Sequence, residues 1–162
     1  MKESRTQSST SQLLTFVVAG EEFGVDILRV QEIRGWSRPM PLPSTPSYIR
    51  GVINLRGDIV PIADLRERLG VAPLEPGQTT VIVVVRVEHA RHTRTMGFVV
   101  DAMSDVTAID ASAVKPPPEL VDTGGASMAS GIALVEQRMI TILDVDRVFP
   151  PNELAAELET AA

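Results

Sequence analysis

GVINLRGDIVPIAD, residues 51–64, comes back 80 positions later as GIALVEQRMITILD, residues 131–144. Gly51 meets Gly131, Val52 meets Ile132, Leu55 meets Val135, Ile59 meets Met139, Ile62 meets Ile142 and Asp64 meets Asp144. Apolar matches alone would say little, because strands resemble one another. The matched glycine and aspartate say more. Glycine marks backbone that must bend or approach closely, and aspartate marks the step from strand into helical turn. An earlier stretch repeats too. Aligning Gly24 with Gly97, an offset of 73, brings Val25 onto Phe98, Ile27 onto Val100, Val30 onto Met103, Glu32 onto Asp105 and Ile33 onto Val106. A longer loop in the second half accounts for the seven-residue difference. Self-similarity on this scale predicts two like units.

Strand signals dominate elsewhere. Leu13–Ala19 and Phe23–Ile27 flank a turn at Gly20-Glu21-Glu22. Tyr48–Leu55 and Ile59–Ile62 flank Arg56-Gly57-Asp58, and Gly131–Val135 and Met139–Leu143 form a last hairpin. Thr80–Val87 is a buried-strand run, with Glu88–Thr95 as a polar turn before Met96–Val100. Prolines make Arg38–Pro46 and Lys115–Pro118 extended connectors. Asp64, with Glu67 as a capping box and Gly70 as the stop, predicts a short helix through Leu69. Asn152 opens a short C-terminal helix carrying Leu154 and Leu158. The expectation is an all-β chain of two small five-stranded barrels with a few short helices. The predicted divisions are a disordered tail at 1–12, a first barrel at 13–75, a second at 76–150, and a short helix or tail at 151–162. The boundary near 75 is soft, because a strand can be exchanged between units.

Composition narrows the function. A net charge of −6 and 4% aromatic residues argue against nucleic-acid binding. Cysteine is absent, so thiolate metal sites and disulfides are excluded. No apolar run is long enough for a membrane-spanning helix, and the polar N-terminus lacks the core of a signal peptide. No nucleotide-binding or nucleophile motif occurs. His89 and His92 share a polar turn with too few ligands for a metal. Asp101 and Asp105 are the one pair open to a small acid–base hydrolase reading. The reading expects no catalytic residue, metal or cofactor. Two barrels side by side leave a groove, and grooves bind partners.

Three stretches carry a resemblance: EFGVDILRVQEIRG from Glu22, YIRGVINLRGDIVPIADLRERLG from Tyr48, and GFVVDAMSDV from Gly97. Together they resemble the CheW family of chemotaxis coupling proteins, over roughly Leu13 to Phe149. The resemblance implies two SH3-like barrels and a non-catalytic adaptor, cytoplasmic and recruited to membrane receptor arrays. Its implied partners are the cytoplasmic tip of a chemoreceptor and the regulatory domain of the histidine kinase CheA, itself a related two-barrel domain. By motif, Val30, Glu32, Arg56, Val100 and Met103 are receptor-contacting, and Arg56, Lys115 and Leu120 are kinase-contacting. Glu32 and Arg56 are expected to pair across the fold. For Val30, Val100 and Met103 plain core packing stands as the alternative. An adaptor of the same fold serving another signalling system stands beside the main reading.

Overall fold

The computed structural model describes residues 10–89, 91–117 and 128–149. Eleven strands are described: β1 (Thr10–Val18), β2 (Glu21–Asp26), β3 (Val30–Gly35), β4 (Ile49–Leu55), β5 (Asp58–Asp64), β6 (Val81–His89), β7 (His92–Val100), β8 (Ala102–Asp110), β9 (Val114–Lys115), β10 (Ala129–Val135) and β11 (Arg138–Leu143). Two single-turn helices, α1 (Leu65–Arg68) and α2 (Val145–Val148), follow β5 and β11. The strands form two curled sheets, in the orders β3-β6-β7-β5-β4 and β8-β1-β2-β11-β10-β9.

Sheet membership does not divide at residue 75. The first sheet is built from residues 30–100, and the second joins the N-terminal hairpin to residues 102–143. Each half of the chain lends its first hairpin to the other half's barrel. Exchange is reciprocal down to register. β2 runs parallel to β11 with Gly24 opposite Ile142, and β7 runs parallel to β5 with Gly97 opposite Ile62. Those are repeat mates paired with repeat mates. The same holds at the other edge, where Met103 faces Phe16 and Val30 faces Val85.

The exchange creates three cores. Ile53, Leu55, Val60, Ile62, Ile82 and Val84 fill the first barrel. Leu13, Ile109, Ala133 and Ile140 fill the second. The largest lies between them and draws Leu14, Phe16, Val18 and Val25 from one sheet and Val83, Val85, Val87, Met96, Phe98 and Val100 from the other. β6 is therefore apolar on both faces, with Ile82 and Val84 inward and Val83, Val85 and Val87 toward the partner barrel. Such two-sided burial is the reason for its unbroken apolar run. Phe16 and Phe98 meet across the junction with ring centroids 5.4 Å apart, and Phe149 follows 6.4 Å from Phe98.

Local signals hold with corrections. Asp64 caps α1 by accepting the Arg66 N–H at 3.0 Å, and Asp144 caps α2 by accepting the Asp146 N–H at 2.9 Å. Even the N–H groups of the two caps match, donating to Tyr48 O at 2.7 Å and Met128 O at 2.8 Å, repeat mates again. Glu67 makes no capping box; its carboxylate takes the Ser47 hydroxyl, because the Asp64 N–H is already bound. Strand β1 begins at Thr10, inside the expected tail, where pairing with β8 gives polar residues a ladder. Nor is Glu88–Thr95 a long turn. Glu88 pairs with Thr93 and His89 with His92, so the polar residues decorate a solvated extension of the β6–β7 hairpin. The expected C-terminal helix from Asn152 lies outside the described residues.

Candidate functional site

At the tip of the β4–β5 hairpin the turn is Arg56-Gly57, with φ of 52° and 94°. Two left-handed residues give a turn whose twist suits antiparallel strands. Asn54 fixes it by accepting the Gly57 N–H at 2.7 Å. The Arg56 side chain, 72% exposed, reaches Glu32 on β3 and donates from Nη2 to Oε2 at 2.8 Å. Glu32 itself sits at a bulge, where the register of β3 against β6 slips between Val30 and Glu32. The bulge turns the side chain off the regular alternation. The pairing expected from the resemblance is thus present, across 24 residues of sequence.

Two apolar patches border the inter-barrel core, one on the face of β3 opposite Glu32 and one on β8. Val30 and Met103 are half-buried and lean on the inter-barrel core. Ile33 shares the face of Val30, since their partners Val83 and Val85 both belong to that core, yet Ile33 is 42% exposed. Val106 stands likewise beyond Met103, opposite Leu14, half exposed. Val100 is different. It has no exposed surface and is sealed among the residues between the barrels, so it offers no side chain to a partner. Core packing is its role, because β7 is buried on both faces at that point.

Lys115 is exposed on the two-residue strand β9, paired with Ile132. Leu120 lies outside the described residues. Among the exposed apolar residues that the sequence reading did not name as contacts are Ile33, Ile59 at 65%, Leu134 at 46% and Met139 at 69%. Ile59 and Met139 are repeat mates next to the two hairpin tips, and Leu134 is the cross-strand neighbour of Met139. Their place in the repeat was the available signal, but it reads equally well as core.

The two carboxylates of the hydrolase reading do not work together. Asp101 accepts the Arg66 guanidinium at 2.5 Å and the Ala19 N–H at 2.8 Å. Asp105 accepts the hydroxyls of Thr15 and Thr107, each at 2.8 Å. The Thr15 hydroxyl, above all, holds the Asp105 carboxyl below its usual range. A general acid needs the opposite shift. His89 donates from Nε2 to the Asp146 carbonyl, 2.9 Å away.

Glu22 is the second perturbed carboxyl in this region. Hydrogen bonding from Arg138 holds its carboxyl below the ordinary 4.5, and the Arg138 guanidinium is raised in turn by Glu22. Both carboxyls are depressed on folding. Their stabilisation is therefore complete above the unfolded values, 4.5 and 3.8, and lost as pH falls through the lower folded values. Denaturant midpoints are expected to hold steady from pH 7 to 5 and decline below about 4.5. In Glu22→Gln the decline should shrink. An equally steep decline in that variant would place the acid sensitivity elsewhere.

Comparison with known proteins agrees with this architecture. A family model described as a CheW-like domain matches residues 12–152. The chain is 40% identical over 145 residues to "Chemotaxis protein CheW" of Rhizobium meliloti (strain 1021), covering 90% of this chain and 91% of that protein. It is 36% identical over 144 residues to "Chemotaxis protein CheW" of Klebsiella aerogenes, covering 89% and 84%. The crystal structure of the scaffolding protein TtCheW from Thermoanaerobacter tengcongensis superposes with a TM-score of 0.77 at 32% identity, over 88% of this chain and 94% of that one. With the family model spanning nearly the whole described fold, and the two-sheet architecture shared, the chain belongs to the CheW-like family.

Proposed function

We propose that this chain is a non-catalytic adaptor that couples chemoreceptors to the histidine kinase CheA, working in the cytoplasm and recruited to membrane receptor arrays. Family membership and the scaffolding relative support an adaptor role in chemotaxis. No helix among the described residues is long and apolar enough to cross a membrane. The single observation that carries the coupling role is the Arg56–Glu32 pair, which joins an exposed hairpin tip to the edge strand β3, whose other face carries Val30 and Ile33. An exposed arginine whose planar guanidinium is already oriented by a carboxylate is the kind of anchor protein interfaces use. The receptor's helical tip would lie on the faces of β3 and β8, contacting Val30, Glu32, Arg56 and Met103. Apolar anchors one helical turn apart suit such a partner.

For the kinase, Arg56, Lys115 and Leu120 are the proposed contacts, joined by Ile59 and by Met139 with Leu134. A partner built of the same two barrels could cover either hairpin end. Exposed apolar side chains beside charged tips fit a contact surface with an apolar centre and a polar rim.

Because the Arg56–Glu32 pair is exposed, it contributes under about 1 kcal/mol to folding. Arg56→Ala is expected to leave the melting temperature within a degree or two, and stability within about 0.5 kcal/mol. Receptor-dependent kinase activation in a reconstituted mixture should nonetheless fall about tenfold or more. Arg56→Asp should be worse, and adding Glu32→Arg should recover part of the loss. A folded Arg56→Ala that couples normally would remove this residue from the interface.

A further inference from the structure

Where the chain crosses from one barrel to the other it is held twice, by the same three-part arrangement. On one side Asp101, between β7 and β8, accepts Arg66 of α1 at 2.5 Å and the N–H of Ala19 at 2.8 Å. On the other, Asp146 of α2 accepts Arg29, between β2 and β3, at 2.5 Å and the N–H of Glu88 at 2.8 Å. The parts are repeat mates, or stand one residue from them. Arg66 and Asp146 are 146 − 66 = 80 apart, the offset of the hairpin repeat. Asp101 lies 101 − 73 = 28 on the first half, one residue before Arg29. Thr15 faces Gly24 as Val84 faces Gly97, which sets the offset of the first strands at 84 − 15 = 69 and makes Ala19 the mate of Glu88, 88 − 19 = 69. All four charged side chains are mostly buried, between 15% and 31% exposed.

Only the polarity differs. In the first lock the helix carries the cation and the crossover carries the anion; in the second they are exchanged. Suppose a half mated with a copy of itself from another chain. Two first halves would bring Arg66 to Arg29, with no carboxylate for either guanidinium or for the Ala19 N–H. Two second halves would bring Asp146 to Asp101. Half-buried like charges with lost hydrogen bonds are strongly unfavourable, and repulsion against a competitor is how specificity is built. We infer that the two locks form a charge code by which each half accepts the opposite half and rejects its twin.

Exchanging the charges in the full-length chain tests the code. Arg66→Asp with Asp101→Arg gives both locks the same polarity, and so does Arg29→Asp with Asp146→Arg. All four changes together invert both locks and restore opposite polarity. After refolding at high protein concentration, light scattering should find the unaltered chain and the quadruple variant monomeric. Each double variant should form dimers or longer chains that grow with concentration, or fail to fold while the quadruple folds. Monomeric, folded doubles overturn the inference. A quadruple variant that cannot fold, or the same mixture of oligomers from all four proteins, overturns it as well.

Discussion

Cutting the chain between residues 75 and 76 is expected to leave neither piece folded alone, and mixing the pieces is expected to restore a single one-to-one complex. The cut falls in an exposed stretch without strand pairing, so it costs no ladder directly. What it separates is the sheets. The ladders β3–β6, β5–β7, β1–β8 and β2–β11 all join one half to the other. Left to itself, the first half keeps only the hairpins β1–β2 and β4–β5 with β3 unpaired. Isolated hairpins are marginal in water. Neither half holds enough of the inter-barrel core to compensate, since Phe16 and Phe98 come from different halves. Circular dichroism and amide-proton dispersion would read the result. A folded first piece by itself would mean that the chain can close a barrel without the exchange.

Gly51→Ala should cost about 4 kcal/mol, a large part of what holds a protein of this size folded. The reason is backbone, not side chain. Gly51 has φ of 143°, a region that residues with a Cβ rarely enter. An added methyl would stand 2.1 Å from the Met40 carbonyl oxygen and 2.6 Å from its carbon. Met40 cannot withdraw, because it exchanges both backbone hydrogen bonds with Val52, at 2.8 and 2.9 Å. The mate, Gly131, faces a softer obstacle. There the new methyl would meet Val114 Cγ1 at 2.8 Å and the Lys115 carbonyl at 3.1 Å. A side chain can rotate, and no left-handed φ adds strain, so Gly131→Ala should cost about half as much. Urea midpoints of the two variants would show the order. Equal effects, or a loss under 1 kcal/mol at Gly51, would contradict the close approach of Met40.

The repeat was legible because its markers are chemical and not merely apolar. Gly51 and Gly131 permit a passing strand, and Asp64 and Asp144 cap helices. Strands β3 and β8 were harder to see. VQEIRG and AMSDVTAID put polar residues on the faces that leave the core, so neither has an apolar run. Which barrel a strand joins is not written in its own alternation, and so the sequence allowed an exchange across the soft boundary near 75 without saying which strands cross. At the site, Glu32 and Arg56 came from the resemblance, and their contact follows from the bulge and the turn. Val100 was misplaced for a physical reason. In a strand buried on both faces, a residue lining a groove and one sealed under it look the same.

The largest core lies between the barrels, closed by stacked and tilted rings and by valines from both sheets. Close-packed interiors resist small deformations. A hinge at this junction would have to open that core and break the hairpins' pairing at once. The molecule is therefore stiff at this joint. Any lattice that grips both hairpin ends takes its angles from this one joint, and a push on one barrel arrives at the far end as displacement instead of being absorbed on the way.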